Sequence, residues 1–228
     1  VESNEILLYN IHYNKRKAAF MNTQIILASS SPRRIEILKS NGITPLIIPP
    51  SGVSEDLPLP VSMEQAVMYL ALKKGLYSEK QYLAEYGSES VPAVLIAADT
   101  IVYKDGMIGK PTSRRDAAET LKRLRNTSHF VATGVTLIRP GTNQRNVFCD
   151  VTEVVFKDYS DHEIEHYLDT DEPWDKAGSY AIQGYWGKHI DHIVGSFDNV
   201  IGFPWSSIHS VLSSQWPDIN LPIPSFNA

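Results

Sequence analysis

Ser29, Ser30 and Ser31, followed by Pro32, Arg33 and Arg34, gather hydroxyls, backbone N–H groups and two guanidinium groups at one helix start. Unpaired N–H donors and the helix macrodipole favour an anion there, and arginine adds bidentate charge-assisted hydrogen bonds, so the set suits phosphate. The same residues also describe a capped helix with two solvated arginines. Asp99-Thr100 closes an apolar run, Ala93 to Ala98, and α/β proteins hold their ligands beyond the carboxyl ends of their strands. Asp99 can activate water there, bind a metal, or serve as a turn residue. Gly109-Lys110-Pro111 offers a cation on a constrained loop, and Lys176 beside Gly178 offers another, although a lysine is ordinarily solvated surface. Glu55 and Asp56 lie in a proline-rich loop, where a second carboxylate can complete a magnesium or manganese site with Asp99.

Other chemistries lack their parts. The seven histidines form no zinc-ligand spacing, and His162 and His166, four apart, fall on a helix already explained by its cap and apolar face. No serine stands in a glycine-flanked elbow. A glycine-rich loop ending in Lys-Ser or Lys-Thr is missing, and the first strand is not followed by the dinucleotide glycine fingerprint. Phosphate handling therefore falls to serine, arginine and lysine.

The elements that must position these residues can be read from periodicity. Ile25 to Ala28 is a buried strand feeding a turn, and a helix follows with Ser31 as cap, Pro32 first, Ile35 and Leu38 on one face and Gly42 at its end. A second helix starts at Ser62, where Gln65 completes a capping box, carries Val67, Leu70 and Ala71, and has Lys73 and Lys74 near its end. Ala93 to Ala98 is a central strand with Asp99 at its carboxyl end. After a turn at Asp105-Gly106, Ser113 caps a helix through Ala117, Leu121 and Leu124. His129 to Ile138 and Asn146 to Phe156 form an antiparallel hairpin, so the sheet is mixed. Ser160 and Glu163 open another helix, with Ile164, Tyr167 and Leu168 on its inner face. Asp171 to Pro204 is rich in glycine and aromatics without period, which suits loops that shape a site. The organisation is an N-terminal extension over 1–22, one domain over 23–216, and a proline-containing tail over 217–228. No repeat or heptad pattern is present.

Composition sets the outer bounds. A chain of 228 residues with 43% hydrophobic residues can bury a real core. A net charge of −5 argues against a duplex nucleic-acid partner. Cys149 is the single cysteine, which excludes an internal disulfide and a cysteine zinc cluster and points to a reducing compartment, the cytoplasm. No apolar run approaches the roughly 20 residues of a membrane helix, and Lys15-Arg16-Lys17 is not followed by a secretory core, so no membrane partner is expected.

As an ordered set, these motifs resemble the Maf family of nucleotide pyrophosphatases. Leu27-Ala28-Ser29-Ser30-Ser31-Pro32-Arg33-Arg34, Ala98-Asp99-Thr100, Gly109-Lys110-Pro111, and His129 with Val131, Thr133, Gly134 and Val135 are similar to that family's signatures in order and spacing. So are Asp175-Lys176-Ala177-Gly178-Ser179-Tyr180-Ala181-Ile182-Gln183-Gly184 and Asn199-Val200-Ile201-Gly202-Phe203-Pro204. The resemblance covers about residues 24 to 214. It implies an α/β fold with a mixed twisted sheet in an elongated, two-lobed single domain with a central cleft. It also implies a homodimer and cleavage of a nucleoside triphosphate between the α and β phosphates with a divalent cation such as magnesium, manganese or cobalt. Asp99 falls on the family's proton acceptor. Arg33, Thr100 and Gln183 fall on positions associated with substrate choice, in the combination of the branch acting on dTTP and UTP. Ser31, Arg34, Lys74, Lys110 and Lys176 match positions around the phosphates, and Glu55 matches an acidic position associated with metal beside Asp99. Asn126-Thr127 departs from the usual Gly-Arg, and Asp171 from the glycine before Glu172-Pro173, which bears on substrate breadth and rate.

The chemistry this implies is attack of water on the α phosphorus, with Asp99 taking a proton or holding metal while cations offset the phosphate charge. Gln183 can donate to and accept from the imide edge of uracil or thymine, with Thr100 beside it. Removal of excess or non-standard nucleotides is the role the resemblance implies. A nucleotide-sensing regulator of cell division with little turnover is the competing reading, and a 7-methyl-GTP hydrolase would differ only in the base pocket.

Overall fold

Each long apolar run becomes a strand of one mixed sheet. The strands are β1 (Gln24–Leu27), β2 (Leu46–Ile47), β3 (Ala93–Tyr103), β4 (Met107–Ile108), β5 (Ser128–Ile138), β6 (Arg145–Phe156) and β7 (Ile190–Val194). They lie in the order β2-β1-β3-β5-β6-β7, with β4 also on β3; β1 runs parallel to β2 and β3, and the remaining pairs are antiparallel. The expected α/β class and mixed sheet are what is observed. The computed structural model describes residues 23–57, 60–87, 92–219 and 221. The extension over 1–22 and most of the tail lie outside the described residues. Within the described part of the tail, Asp218 pairs with Arg139, and Ile219 and Leu221 pack on the core.

The helices are α1 (Pro32–Ser40), α2 (Met63–Tyr86), α3 (Arg114–Leu124), α4 (Asp161–Leu168), α5 (Phe197–Ile201) and α6 (Trp205–Gln215). The expected caps form. Ser62 and Gln65 make a reciprocal capping box on α2, Ser160 and Glu163 do so on α4, and Ser113 Oγ accepts the Asp116 N–H on α3. Ser31 stands at the N-cap of α1, but its side chain makes no capping bond. No helix among the described residues is long and apolar enough to cross a membrane.

Two local readings are corrected. Strand β3 does not stop before Asp99 but continues to Tyr103, because Thr100, Ile101, Val102 and Tyr103 are β-formers paired along β5. Helix α2 runs on to Tyr86, which puts Lys73 and Lys74 in its middle; Gly75 lets it lie against the sheet, within 3.1–3.3 Å of Ile138, Ala97 and Thr136 for any added Cβ. Strand β7 was not expected, since its exposed polar pair Asp191-His192 carries no apolar alternation.

Alternation along β3 divides the core. Val94, Ile96 and Ala98 face α1 and α6, while Leu95 and Ala97 face α2 and pack with Tyr82. A further cluster beneath α3 and α4 joins Leu121, Leu124, Ile164 and Tyr167 to Val154 and Phe156. His129 belongs to that end of the sheet, 1% exposed, with Nε2 2.7 Å from the Tyr180 hydroxyl. Burial, with Lys104 adding to it, pushes its pKa down to about 3. The unfolded chain takes up this proton near pH 6.5 and the folded chain only near pH 3, so the ring costs nothing above about 6.5. Below that, stability falls by about 1.4 kcal/mol per pH unit until the folded pKa is reached. Urea unfolding between pH 7 and 5 should show this slope, and His129→Gln should flatten it by one proton.

Candidate active site

The site forms where β3 has a free edge. On one side of β3, β1 pairs up to Leu27 opposite Ile96, and β4 begins only at Ile108 opposite Val102. Between those points no strand of the described residues covers the edge, and the chain turns away from β1 into the Ser29–Ser31 loop. Asp99 and Thr100 lie in this gap, and because successive strand residues point to opposite faces, they open onto opposite sides of the sheet.

Asp99 faces α2. It is 7% exposed, and its Oδ1 accepts a close hydrogen bond from Lys74 Nζ. Lys74 also donates to Glu55 Oε1 at 2.6 Å, so one ammonium joins both carboxylates. The bond from Lys74 holds the Glu55 carboxyl below the usual carboxylate range against partial burial, and the charges of Lys74, Lys110 and Arg34 act in the same direction. Lys110, exposed on its loop, is thereby within electrostatic reach of the pair. Asp99 Oδ2 accepts no hydrogen bond from the described residues.

Lys74 can reach Asp99 because of Gly134, which lies opposite Asp99 on β5. A Cβ at Gly134 would run into the Val67 carbonyl and come within 2.6 Å of Met68 N, so the backbone of α2 rests directly on the sheet here. Lys74 follows Val67 by seven residues, two turns along the same helix face.

Thr100 faces the other side. Its Oγ1 accepts from Arg34 Nη2 at 3.3 Å and lies 3.0 Å from Thr133 Oγ1, which donates to the Asn199 carbonyl at 3.2 Å. With the Thr133 proton committed to Asn199, the Thr100 hydroxyl must donate to Thr133. Arg34 also donates from Nε to Gly202 O at 2.9 Å and from Nη1 to Ala98 O at 2.8 Å. Burial draws the Arg34 pKa down, with Asp99 opposing the fall. Arg34 is thus a pillar that fixes the floor, while Arg33, next to it at the start of α1, carries no such bonds. Gly202 has φ +97, and a Cβ there would come 2.9 Å from Thr100 Oγ1.

The remaining expected residues sit on another loop. Lys176 donates to Glu172 O at 2.8 Å and pairs closely with Asp175. The Gly178 N–H bonds to Gly109 O at 3.1 Å, tying this loop to the one that carries Lys110. Burial disfavours ionised Asp175, but Lys176 and the charge of Arg33 outweigh it and its pKa is lowered. Gln183 is exposed and has no hydrogen bond to the Asp99 cluster. The sequence reading assigned no role to Thr133, Asn199 or Glu172. Their only signal was a place within longer motifs, since threonine and asparagine in such contexts are equally turn residues.

The donors fit a hard divalent cation. Among the described residues no group of three or more His, Cys, Asp and Glu could hold a metal ion. Glu55 and Asp99 nevertheless present two carboxylates around one cationic position, and magnesium-type ions are commonly held by one or two carboxylates plus substrate phosphates and water.

A family model described as "Maf-like protein" matches residues 24–215. The chain is similar to proteins named dTTP/UTP pyrophosphatase. The one from Caldicellulosiruptor bescii is 39% identical over 86% of this chain and 96% of its own. That from Desulforamulus reducens is 42% identical over 82% and 94%, and that from Dictyoglomus turgidum 41% over 85% and 96%. The Ham1 protein of Staphylococcus aureus has a looser likeness in shape, at 14% identity and a TM-score of 0.47, covering 85% of this chain and 100% of that one.

Proposed function

The chain belongs to the family of Maf-like proteins, and from that premise we propose that it hydrolyses dTTP and UTP to the monophosphate and pyrophosphate. The observation that carries this reading is the free edge of β3, where Asp99 stands with Glu55 around Lys74 and beside the anion-binding start of α1.

In this reading Ser31, whose hydroxyl is not spent on capping, Arg33 and Lys110 receive the triphosphate together with free N–H groups of α1. Arg34 and Thr100 hold the floor beneath it, and Lys176 closes from the opposite loop. Glu55 and Asp99 would hold a magnesium, manganese or cobalt ion, which when bound offsets phosphate charge. Asp99 takes a proton from the attacking water through Oδ2; the water oxygen bonds to the α phosphorus as the bond to the bridging oxygen breaks and pyrophosphate leaves. Gln183 pairs with the imide edge of the pyrimidine. Thr100 favours this substrate through Arg34, because its own hydroxyl is already committed. The enzyme works as a homodimer in the cytoplasm, removing excess or non-standard nucleotides.

The test is pyrophosphate release from dTTP, UTP, CTP, GTP, ATP and 7-methyl-GTP with magnesium or manganese. Turnover of dTTP and UTP ahead of the others is expected. Binding of these nucleotides with no release from any would replace hydrolysis by sensing, and preference for 7-methyl-GTP would move the chain to another specificity.

A further inference from the structure

We infer that Glu172 is a positioning residue that locks the loop carrying Gln183, and with it Lys176, into one arrangement and so sets how tightly and how selectively the pyrimidine nucleotide is held. The inference rests on the roles proposed above for Gln183 and Lys176.

Glu172 spends all three of its acceptor groups on this loop system. Carboxylate Oε2 accepts the Tyr185 N–H at 2.9 Å, Oε1 accepts the Tyr167 hydroxyl at 2.9 Å, and the main-chain oxygen accepts Lys176 Nζ at 2.8 Å. Residues on both sides of Gln183 are therefore tied to one residue, Lys176 through its main-chain oxygen and Tyr185 through its carboxylate. Gly184, next to Gln183, has φ −117, a value open to any residue, so its backbone does not call for glycine. Space does, because a Cβ at Gly184 would collide with the Glu172 carboxylate.

The clamp is itself rigid. Pro173, buried, follows Glu172 and starts a short 3-10 turn, and the Glu172 N–H donates to Thr170 Oγ1 at 3.3 Å. The Tyr167 ring is stacked on Trp186 at 4.5 Å between centroids, and on Tyr185 at 6.2 Å. Burial raises the Tyr167 pKa, with the bond to Glu172 adding to it, so the phenol stays a donor. No hydrogen bond joins Glu172 to Asp99, Lys74 or Glu55, which separates it from the proton-transfer machinery.

The test uses the full chain with Glu172→Ala, Glu172→Gln and Gly184→Ala, each checked for native circular dichroism, and measures kcat and KM with dTTP, UTP, CTP and ATP. Glu172→Ala is expected to raise KM for dTTP and UTP by roughly tenfold and to narrow their preference over ATP, with kcat within about threefold of wild type. Glu172→Gln keeps an acceptor for Tyr185 and should recover most of the loss, whereas Gly184→Ala, pressing on the carboxylate from the loop side, should reproduce it. If Glu172→Ala does not fold, the other two variants decide. A folded set that retains wild-type KM and preference overturns the inference, as does an equal loss of kcat for every substrate with KM unchanged. A wild-type protein without pyrimidine preference overturns instead the underlying reading of Gln183, before any variant is made.

Discussion

Asp99→Asn is expected to slow pyrophosphate release from dTTP by roughly 100- to 10,000-fold, the usual contribution of a positioned general base. The amide keeps the shape of the side chain and an oxygen for Lys74, but it cannot take the proton of the attacking water. Lys74 retains Glu55 as its ion-pair partner, so the loss should not come from unfolding. Rates under saturating dTTP, with melting curves of both proteins, check this. A fall of less than about tenfold would remove Asp99 from proton transfer and leave it a ligand or a structural anion.

Gly134→Ala should be one of the most damaging single methyls among the described residues. The added carbon would meet the main chain of Val67 and Met68, not a flexible side-chain end, so helix α2 or strand β5 has to move. Gly134 does not have a positive φ, so backbone strain plays no part in the cost. Overpacking of a buried contact costs about 1–3 kcal/mol, and a main-chain clash belongs at or above the top of that range. For a chain of this size that is a drop in melting temperature of roughly 10 °C. Displacement of α2 also carries Lys74 away from Asp99, so the variant still folded at low temperature should lose activity beyond its loss of stability. A melting temperature within about 2 °C of wild type would show that the helix can ride over the methyl.

Much of this site was legible because charges and caps obey local rules. Ser62 with Gln65 and Ser160 with Glu163 mark helix starts by chemistry contained within four residues, and both capping boxes form. The serine and arginine run was equally readable as the start of α1, although the Ser31 side chain makes no capping bond there. What local rules could not supply was partnership across the chain. Arg34 and Arg33 look alike in sequence, yet one is locked onto Ala98, Thr100 and Gly202 and the other is not, a difference created by a residue 168 positions away. Asp99 read as the end of a strand because a carboxylate after an apolar run usually marks one. It continues the strand because β5 pairs through it and Gly134 stands opposite. Lys73 and Lys74 read as lying near the end of α2 but stand in its middle, and the close approach of Gly75 to Ala97 and Thr136 beside them depends on the sheet. Glu172 was hidden for the same reason, since both of its carboxylate bonds belong to residues that fold back onto it.

The bare stretch of β3 also bears on how copies of this chain avoid one another. An uncovered strand edge is a template onto which another molecule can add a strand and begin an aggregate. Here Arg34 occupies the Ala98 carbonyl, and Asp99, Lys74 and Glu55 surround the gap with charges that an incoming apolar strand would have to strip of water. The groups suited to a phosphate chain therefore double as gatekeepers. Evolution of a weaker or altered site would have to keep some charge at this mouth, because the same edge made apolar would be adhesive.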